Sequence, residues 1–203
     1  MNQDITFYFD FASPYAYFAA TRIDKLAAAH GRKVRWMPVL LGALRQETGS
    51  PLPVEVPIKW QYVQKDLLRS ARLHGLPYRQ PPGFPKFLID PARAMLWIRR
   101  EHGDELATAF ARNCFGANFG DGVDIGDAEV LMGIASALGV DRAALAAGIK
   151  EPAIKQQLKE EGEQAMRRGV FGVPFVIADE EAFWGFDRLD HLQAYLKQSS
   201  AGQ

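Results

Sequence analysis

Phe9-Asp10-Phe11-Ala12-Ser13-Pro14-Tyr15 decides the fold, because a strand has to stop and a helix has to start within this stretch. Upstream, Ile5 to Phe11 is dense in aromatic and β-branched side chains and too short for a helix, so it reads as a buried strand. Ser13 then takes the N-cap, and Pro14 takes the first helical position, where its missing N–H costs nothing. Downstream, Tyr15, Phe18, Ala19, Ile23, Leu26 and Ala27 recur on one helical face, and His30-Gly31 supplies the stop. Lys33 to Leu40 is a second strand. A right-handed crossover places the two strands parallel in one sheet.

From Leu41 the pattern changes. Gly49-Ser50-Pro51-Leu52-Pro53 forms a loop, and the chain beyond it is mainly helical out to Arg168. The helical segments run roughly from Pro57 to His74, Asp90 to His102, Asp104 to Phe119, Asp127 to Leu138, Asp141 to Ile149 and Pro152 to Arg168. Asp127 and Asp141 stand at N-cap positions, and Gly139 stands where a left-handed C-terminal residue is needed. After Gly169 the strand signal returns in Val170 to Ile177, and Ala182-Phe183-Trp184-Gly185 completes a hairpin. A final helix from Asp187 carries Leu189, Leu192 and Leu196 inward and leaves Ser199 to Gln203 as a polar tail. The fold class is therefore α/β, in the order βαβ, helices, ββα. Residues 1–41 and 169–203 form one discontinuous domain, and residues 42–168 an inserted all-helical domain.

The chain has 203 residues, 24 basic side chains against 24 acidic ones, and 48% hydrophobic residues, enough for a sizeable core. This charge balance supplies no long-range field for nucleic acid or an anionic membrane, and a small apolar or mixed ligand fits better. No stretch approaches the roughly 18 apolar residues of a membrane span, and Met1-Asn2-Gln3-Asp4 precedes no apolar leader, so a cytoplasmic location is expected. Cys114 stands alone, which excludes an intrachain disulfide, a dithiol redox pair and a cysteine metal site. The four histidines, at 30, 74, 102 and 191, show no ligand spacing, so no metal is expected. Any thiol chemistry has to import its sulfur.

Two positions suggest how. Ser13 is a preferred capping residue, yet a helix N-terminus beside a hydroxyl is also an anion site. The helix dipole contributes about 0.3 to 1 kcal/mol there, up to about 2 when partly buried, and a hydrogen bond to a charged group adds roughly 1.5 to 3. A thiolate placed at Ser13 is stabilised. In Gly172-Val173-Pro174-Phe175 a proline interrupts a strand-like run, which makes it either an edge strand or bulge, or a cis peptide. The cis form turns the amide and carbonyl of Val173 outward to pair with an extended peptide-like ligand.

These motifs, with Phe171-Gly172-Val173-Pro174 and Trp184-Gly185-Phe186-Asp187-Arg188, resemble those of 2-hydroxychromene-2-carboxylate isomerases, relatives of kappa-class glutathione transferases. The resemblance extends over nearly the whole chain in order and spacing. It implies a thioredoxin-like fold interrupted by helices, as in DsbA-like oxidoreductases, and glutathione as cofactor. Those oxidoreductases carry Cys-x-x-Cys where this chain has Ser13-Pro14-Tyr15-Ala16, so the protein itself cannot exchange disulfides. By resemblance, Ser13 is the catalytic residue and hydrogen-bonds the glutathione sulfur. Val173 before Pro174 pairs with the glutathione backbone, and Trp184, Gly185, Phe186 and Asp187 hold its γ-glutamyl end. Asp187 is equally suited to cap the last helix, with Asp190 completing a capping pattern. Lys59 matches a family lysine for a ligand carboxylate and shares a helical face with Tyr62 and Asp66.

For the substrate, the resemblance points to Arg45 as the cation for a carboxylate and Phe84 as the surface for a ring. The chain departs at Pro53-Val54, where those enzymes carry a polar Asn-Arg pair. Trp36, Trp60, Trp97, Phe115 and Phe119 are either core or cavity wall, and Phe119-Gly120-Asp121-Gly122 is a turn that could border the pocket. The implied activity is a glutathione-dependent isomerisation of an aromatic or conjugated oxo acid by reversible thiolate addition. A kappa-like glutathione transferase or peroxidase, and a non-catalytic peptide-binding module, are the alternatives. Family relatives are often homodimers, although the sequence shows no interface signature.

Overall fold

The computed structural model describes residues 4–201. Strands β1 (Ile5–Phe9), β2 (Val34–Pro38), β3 (Phe175–Ala178) and β4 (Glu181–Trp184) form one sheet in the order β2-β1-β3-β4. β1 runs parallel to β2, with Phe7 opposite Trp36, and antiparallel to β3, with Phe7 opposite Val176. β3 and β4 form an antiparallel hairpin. β1 is central and buried on both faces, which is why it reads as a run of aromatic and β-branched residues without polar alternation. Phe7 and Phe9 meet Trp36 edge-on in one core, while Tyr8 points to the other with Met37, Phe175 and Ile177.

The helix after Ser13 is two helices, α1 (Pro14–Ala20) and α2 (Ile23–Ala28), where the spacing suggests one. At the break, the Thr21 hydroxyl donates to the Phe18 carbonyl at 2.8 Å and the Arg22 amide reaches back three residues, to Ala19, at 3.0 Å. The shortened spacing interrupts the helical ladder. Between β2 and β3 lie α3 (Leu41–Thr48), a 3-10 turn at Pro53–Glu55, α4 (Pro57–His74), α5 (Ile89–His102) and α6 (Asp104–Phe115). A π-helical turn (Gly116–Gly120), α7 (Ala128–Ala137), α8 (Arg142–Gly148) and α9 (Pro152–Arg167) come next. A 3-10 turn at Phe186–Arg188 and α10 (Leu189–Ala201) end the described chain. One core runs from Phe7 and Phe9 through Phe115 to Phe110 and Met95. α3 and α9 cover the other sheet face through Leu44 and Ala165.

The fold is thioredoxin-like, a mixed four-stranded sheet interrupted by helices. Asp127 and Asp141 cap α7 and α8, accepting hydrogen bonds from Glu129 and Val130 and from Ala144. Gly139 adopts the left-handed conformation at φ +84°. Four further features differ from the sequence reading. α3 is a helix in a region read as leading into a loop. Residues 170–174 are not strand, because β3 begins only after the proline. Asp187 does not cap α10: it lies in the 3-10 turn, and Asp190 pairs with Arg22 at 2.6 Å instead of completing a cap. α10 continues through Ser199 to Ala201, and the last two residues of the expected tail lie outside the described residues.

Candidate active site

A cavity of about 850 Å³ opens where the end of β1, α1, α3, α4 and the β3–β4 segment converge. Ser13 lines it, buried, in an extended conformation that ends the strand and starts α1. Its Oγ accepts a hydrogen bond from the Ala16 amide at 3.1 Å, which leaves the hydroxyl hydrogen to donate. Its carbonyl accepts from Tyr17 at 3.1 Å, and Pro14 has no N–H. The first turn therefore offers the cavity the Ser13 hydroxyl and at most the Tyr15 amide. α1 is only seven residues long, so the hydroxyl counts for more than the expected dipole.

On the same cavity, the Val173–Pro174 peptide is cis. The Pro174 carbonyl accepts from the Gly185 amide at 2.9 Å, while the N–H and C=O of Val173 make no hydrogen bond among the described residues. Trp184, Gly185, Phe186 and Asp187 line the cavity beside them. Two glycines permit this packing. A β-carbon on Gly172 would lie 2.8 Å from Trp184 Nε1, and one on Gly185, at φ +111°, would lie 2.5 Å from Asp187 Oδ1. Asp187 pairs with Arg188 at 3.2 Å and is more than half exposed. The Phe186 ring stacks on Tyr15, with centroids 5.5 Å apart and planes at 11°. Tyr15 donates its hydroxyl to Asp66 at 2.8 Å, and burial pushes the phenol well above its ordinary pKa, so it serves as a neutral donor.

Lys59 is exposed on α4 and is not among the residues that line the cavity, although Trp60, Val63 and Asp66 are. Tyr62 is exposed too, beneath the Arg69 guanidinium, so α4 presents a neighbouring face. Arg45, from α3, and Phe84 line the same cavity. Phe84 stacks on Trp60 at 5.9 Å and 28° and meets Phe119 edge-on. Phe119 is core behind that wall, Trp36 and Phe115 belong to the core around β1, and Trp97 is buried against Glu151. The 119–122 turn does not line the cavity. Pro53 and Val54 do. Arg45 pairs with Glu55 at 2.7 Å, and Glu55 also accepts from the Leu52 amide at 3.0 Å.

Sequence spacing does not single out Asp10, yet it is the buried charge of this site. Asp10 lines the cavity, and its carboxylate accepts from the Ala12 amide at 2.8 Å and the Leu41 amide at 2.6 Å. Burial, only partly offset by these bonds, pushes its pKa up to about 6. The available signal is an acid flanked by two core aromatics at the end of a buried strand. Among the described residues, no three histidine, cysteine, aspartate or glutamate side chains gather as a metal site, and no helix is long and apolar enough to cross a membrane.

The family model described as a DSBA-like thioredoxin domain matches residues 4–197. A 2-hydroxychromene-2-carboxylate isomerase of Sphingobium xenophagum is 34% identical over 198 residues, covering 97% of this chain and 99% of the relative. The chain belongs to this isomerase family. Within the family, the solved structure of a 2-hydroxychromene-2-carboxylate isomerase superimposes with a TM-score of 0.87 at 29% identity, covering 97% of this chain and 95% of that one. The kappa 2 glutathione S-transferase of Caenorhabditis elegans is 27% identical over 213 residues, covering 98% of this chain and 93% of the transferase. The chain is thus similar along nearly its whole length to isomerases and to a kappa transferase, and it is an enzyme of the isomerase type.

Proposed function

We propose that the chain is a glutathione-dependent isomerase acting on 2-hydroxychromene-2-carboxylate or a related aromatic or conjugated oxo acid. One observation carries the reading: Ser13, the free backbone of Val173, Arg45 and Phe84 line a single cavity, large enough for a tripeptide beside a small ring. The donor set suits glutathione. The Val173 N–H and C=O complement a peptide backbone, and the Asp187 carboxylate complements an ammonium. When bound, glutathione supplies a thiolate that adds reversibly to a conjugated double bond, allowing rotation before it is expelled.

The chain's own residues hold and orient. Ser13 donates its hydroxyl hydrogen to the sulfur and keeps it ionised. Trp184, Gly185 and Phe186 shape the γ-glutamyl end, and Tyr15 closes the floor against Phe186. Arg45 turns from Glu55 to the substrate carboxylate, and Phe84 with Trp60 offers its ring a flat apolar wall. Lys59 reaches a ligand carboxylate only from outside the cavity wall. A cytoplasmic setting, where glutathione is kept reduced, suits this cofactor.

Kappa-class relatives favour one competing reading, a transferase that releases the adduct. Turnover of 2-hydroxychromene-2-carboxylate with sub-stoichiometric glutathione, followed by absorbance and product analysis, decides between the two. Glutathione consumed one for one with substrate would overturn the isomerase reading.

A further inference from the structure

Asp10 accepts hydrogen bonds from two segments that line the cavity. The residue is 5% exposed and follows the end of β1. One carboxylate oxygen accepts from Ala12 and its own carbonyl accepts from Ser13 at 2.9 Å, so the turn that presents Ser13 closes around this residue. The other oxygen accepts from Leu41, the first residue of α3, which carries Arg45. Leu40, at the N-cap of α3, makes no side-chain capping bond. The helix instead takes its acceptor from a residue far back in the chain. No ion pair reaches Asp10 among the described residues; Arg45 pairs with Glu55, and Tyr15 with Asp66. A buried carboxylate compensated by amides alone is a costly way to hold a fold together, which directs attention to what it holds.

We propose that Asp10 is a positioning residue that keeps the turn presenting Ser13 in register with α3 and Arg45, fixing the thiol end of the cavity relative to the substrate end. The proposal rests on the glutathione reading.

Two variants of the full chain test it. Asp10→Asn keeps the shape but retains one acceptor oxygen and turns a donor toward the second amide. Leu41→Pro leaves the carboxylate and removes only the amide that α3 gives it. Proline is tolerated at a first helical position, and Leu40 is already extended at φ −102°, ψ 115°. Leu41→Ala controls for the lost side chain. Glutathione affinity is read by calorimetry, the bound thiol's ionisation by ultraviolet absorbance against pH, and kcat and KM with 2-hydroxychromene-2-carboxylate. Losing the Asp10 charge alone would lower the bound thiol pKa, so the rise of about one expected in Asp10→Asn, with kcat down about 10- to 100-fold and glutathione Kd changed less than about threefold, reports a displaced Ser13 hydroxyl. Leu41→Pro is expected to leave the thiol pKa in place and raise KM about tenfold, and Leu41→Ala to change KM far less. A native protein that fails to bind glutathione overturns the functional reading and the proposal with it. Native binding, with folded variants that match the native thiol pKa, kcat and KM, overturns the proposal alone. Should Asp10→Asn not fold, Leu41→Pro decides: a KM equal to that of Leu41→Ala sinks the idea.

Discussion

Trp184 Nε1 lies 2.8 Å from the point a β-carbon on Gly172 would occupy, so the indole rests against bare backbone beside the cis peptide. Phe171 also packs on that indole, edge-on at 4.8 Å. Gly172→Ala must push the indole off its seat. Because Trp184 is more than half exposed, the cost in stability is expected to stay near 1 kcal/mol, while glutathione affinity falls at least about tenfold. Titrating glutathione against tryptophan emission measures both the new indole position and the affinity; unchanged affinity would remove Trp184 from the ligand site.

Ser13 caps α1 and faces the cavity, and the two roles separate by substitution. Ser13→Ala deletes the acceptor for Ala16, at about 0.5 to 2 kcal/mol of stability. Activity is expected to fall far more, by about 100-fold or beyond, because the donor to the sulfur is lost as well. Ser13→Thr keeps both hydrogen-bonding roles and should retain the stability and much of the rate. Urea melts and initial rates on the three proteins check this, and a rate loss no larger than the cap accounts for would leave Ser13 a structural residue only.

Asp10 gives the fold a pH signature. Its carboxyl titrates at about 6 in the folded protein against 3.8 when exposed, so between these values the folded chain holds a proton that the unfolded chain has released. Stability from this group therefore falls as pH rises from about 4 to about 6, by about 3 kcal/mol, and stays lower above that window. Asp124 and Glu151, held low by Lys86 and Arg100, slope the other way on acidification. The informative quantity is thus the native-minus-variant difference. Denaturation of native protein and Asp10→Asn at pH 4 and pH 7 should show that difference shifting in favour of the variant at the higher pH.

The Arg45–Glu55 pair is about 40% exposed on each side, so it contributes under about 1 kcal/mol to folding. Its expected weight is in binding. Arg45→Ala should raise KM for 2-hydroxychromene-2-carboxylate about tenfold or more, whereas Glu55→Gln, which frees the guanidinium, should lower it. If both substitutions leave KM alone, the substrate carboxylate binds elsewhere.

Much of this is legible in the chain, for reasons that particular residues make plain. The Ser13-Pro14 start, the span Pro57–His74 and the caps at Asp127 and Asp141 depend on neighbours within a few positions, where propensity and periodicity apply. α3 escapes such a reading because its amide acceptor, Asp10, is nowhere near it in sequence and because it buries little beyond Leu44. Asp187 matches a capping pattern, but the packing of Phe186 on Tyr15 draws the chain into a 3-10 turn first. Lys59 is placed by analogy of position, yet the face α4 shows the cavity is set by Trp60 and Val63 packing inward. Which faces meet is a tertiary fact, and spacing alone does not contain it.

Cys114 is the only sulfhydryl in the sequence, and it is fully buried in α6 with its pKa pushed well up by burial. Reagents that react with thiolates at neutral pH pass such a group by while the fold is intact. The enzyme is therefore its own blank: in a washed, folded sample any sulfur labelled within seconds belongs to a visitor, and the labelling rate becomes a direct meter of how the site has tuned it.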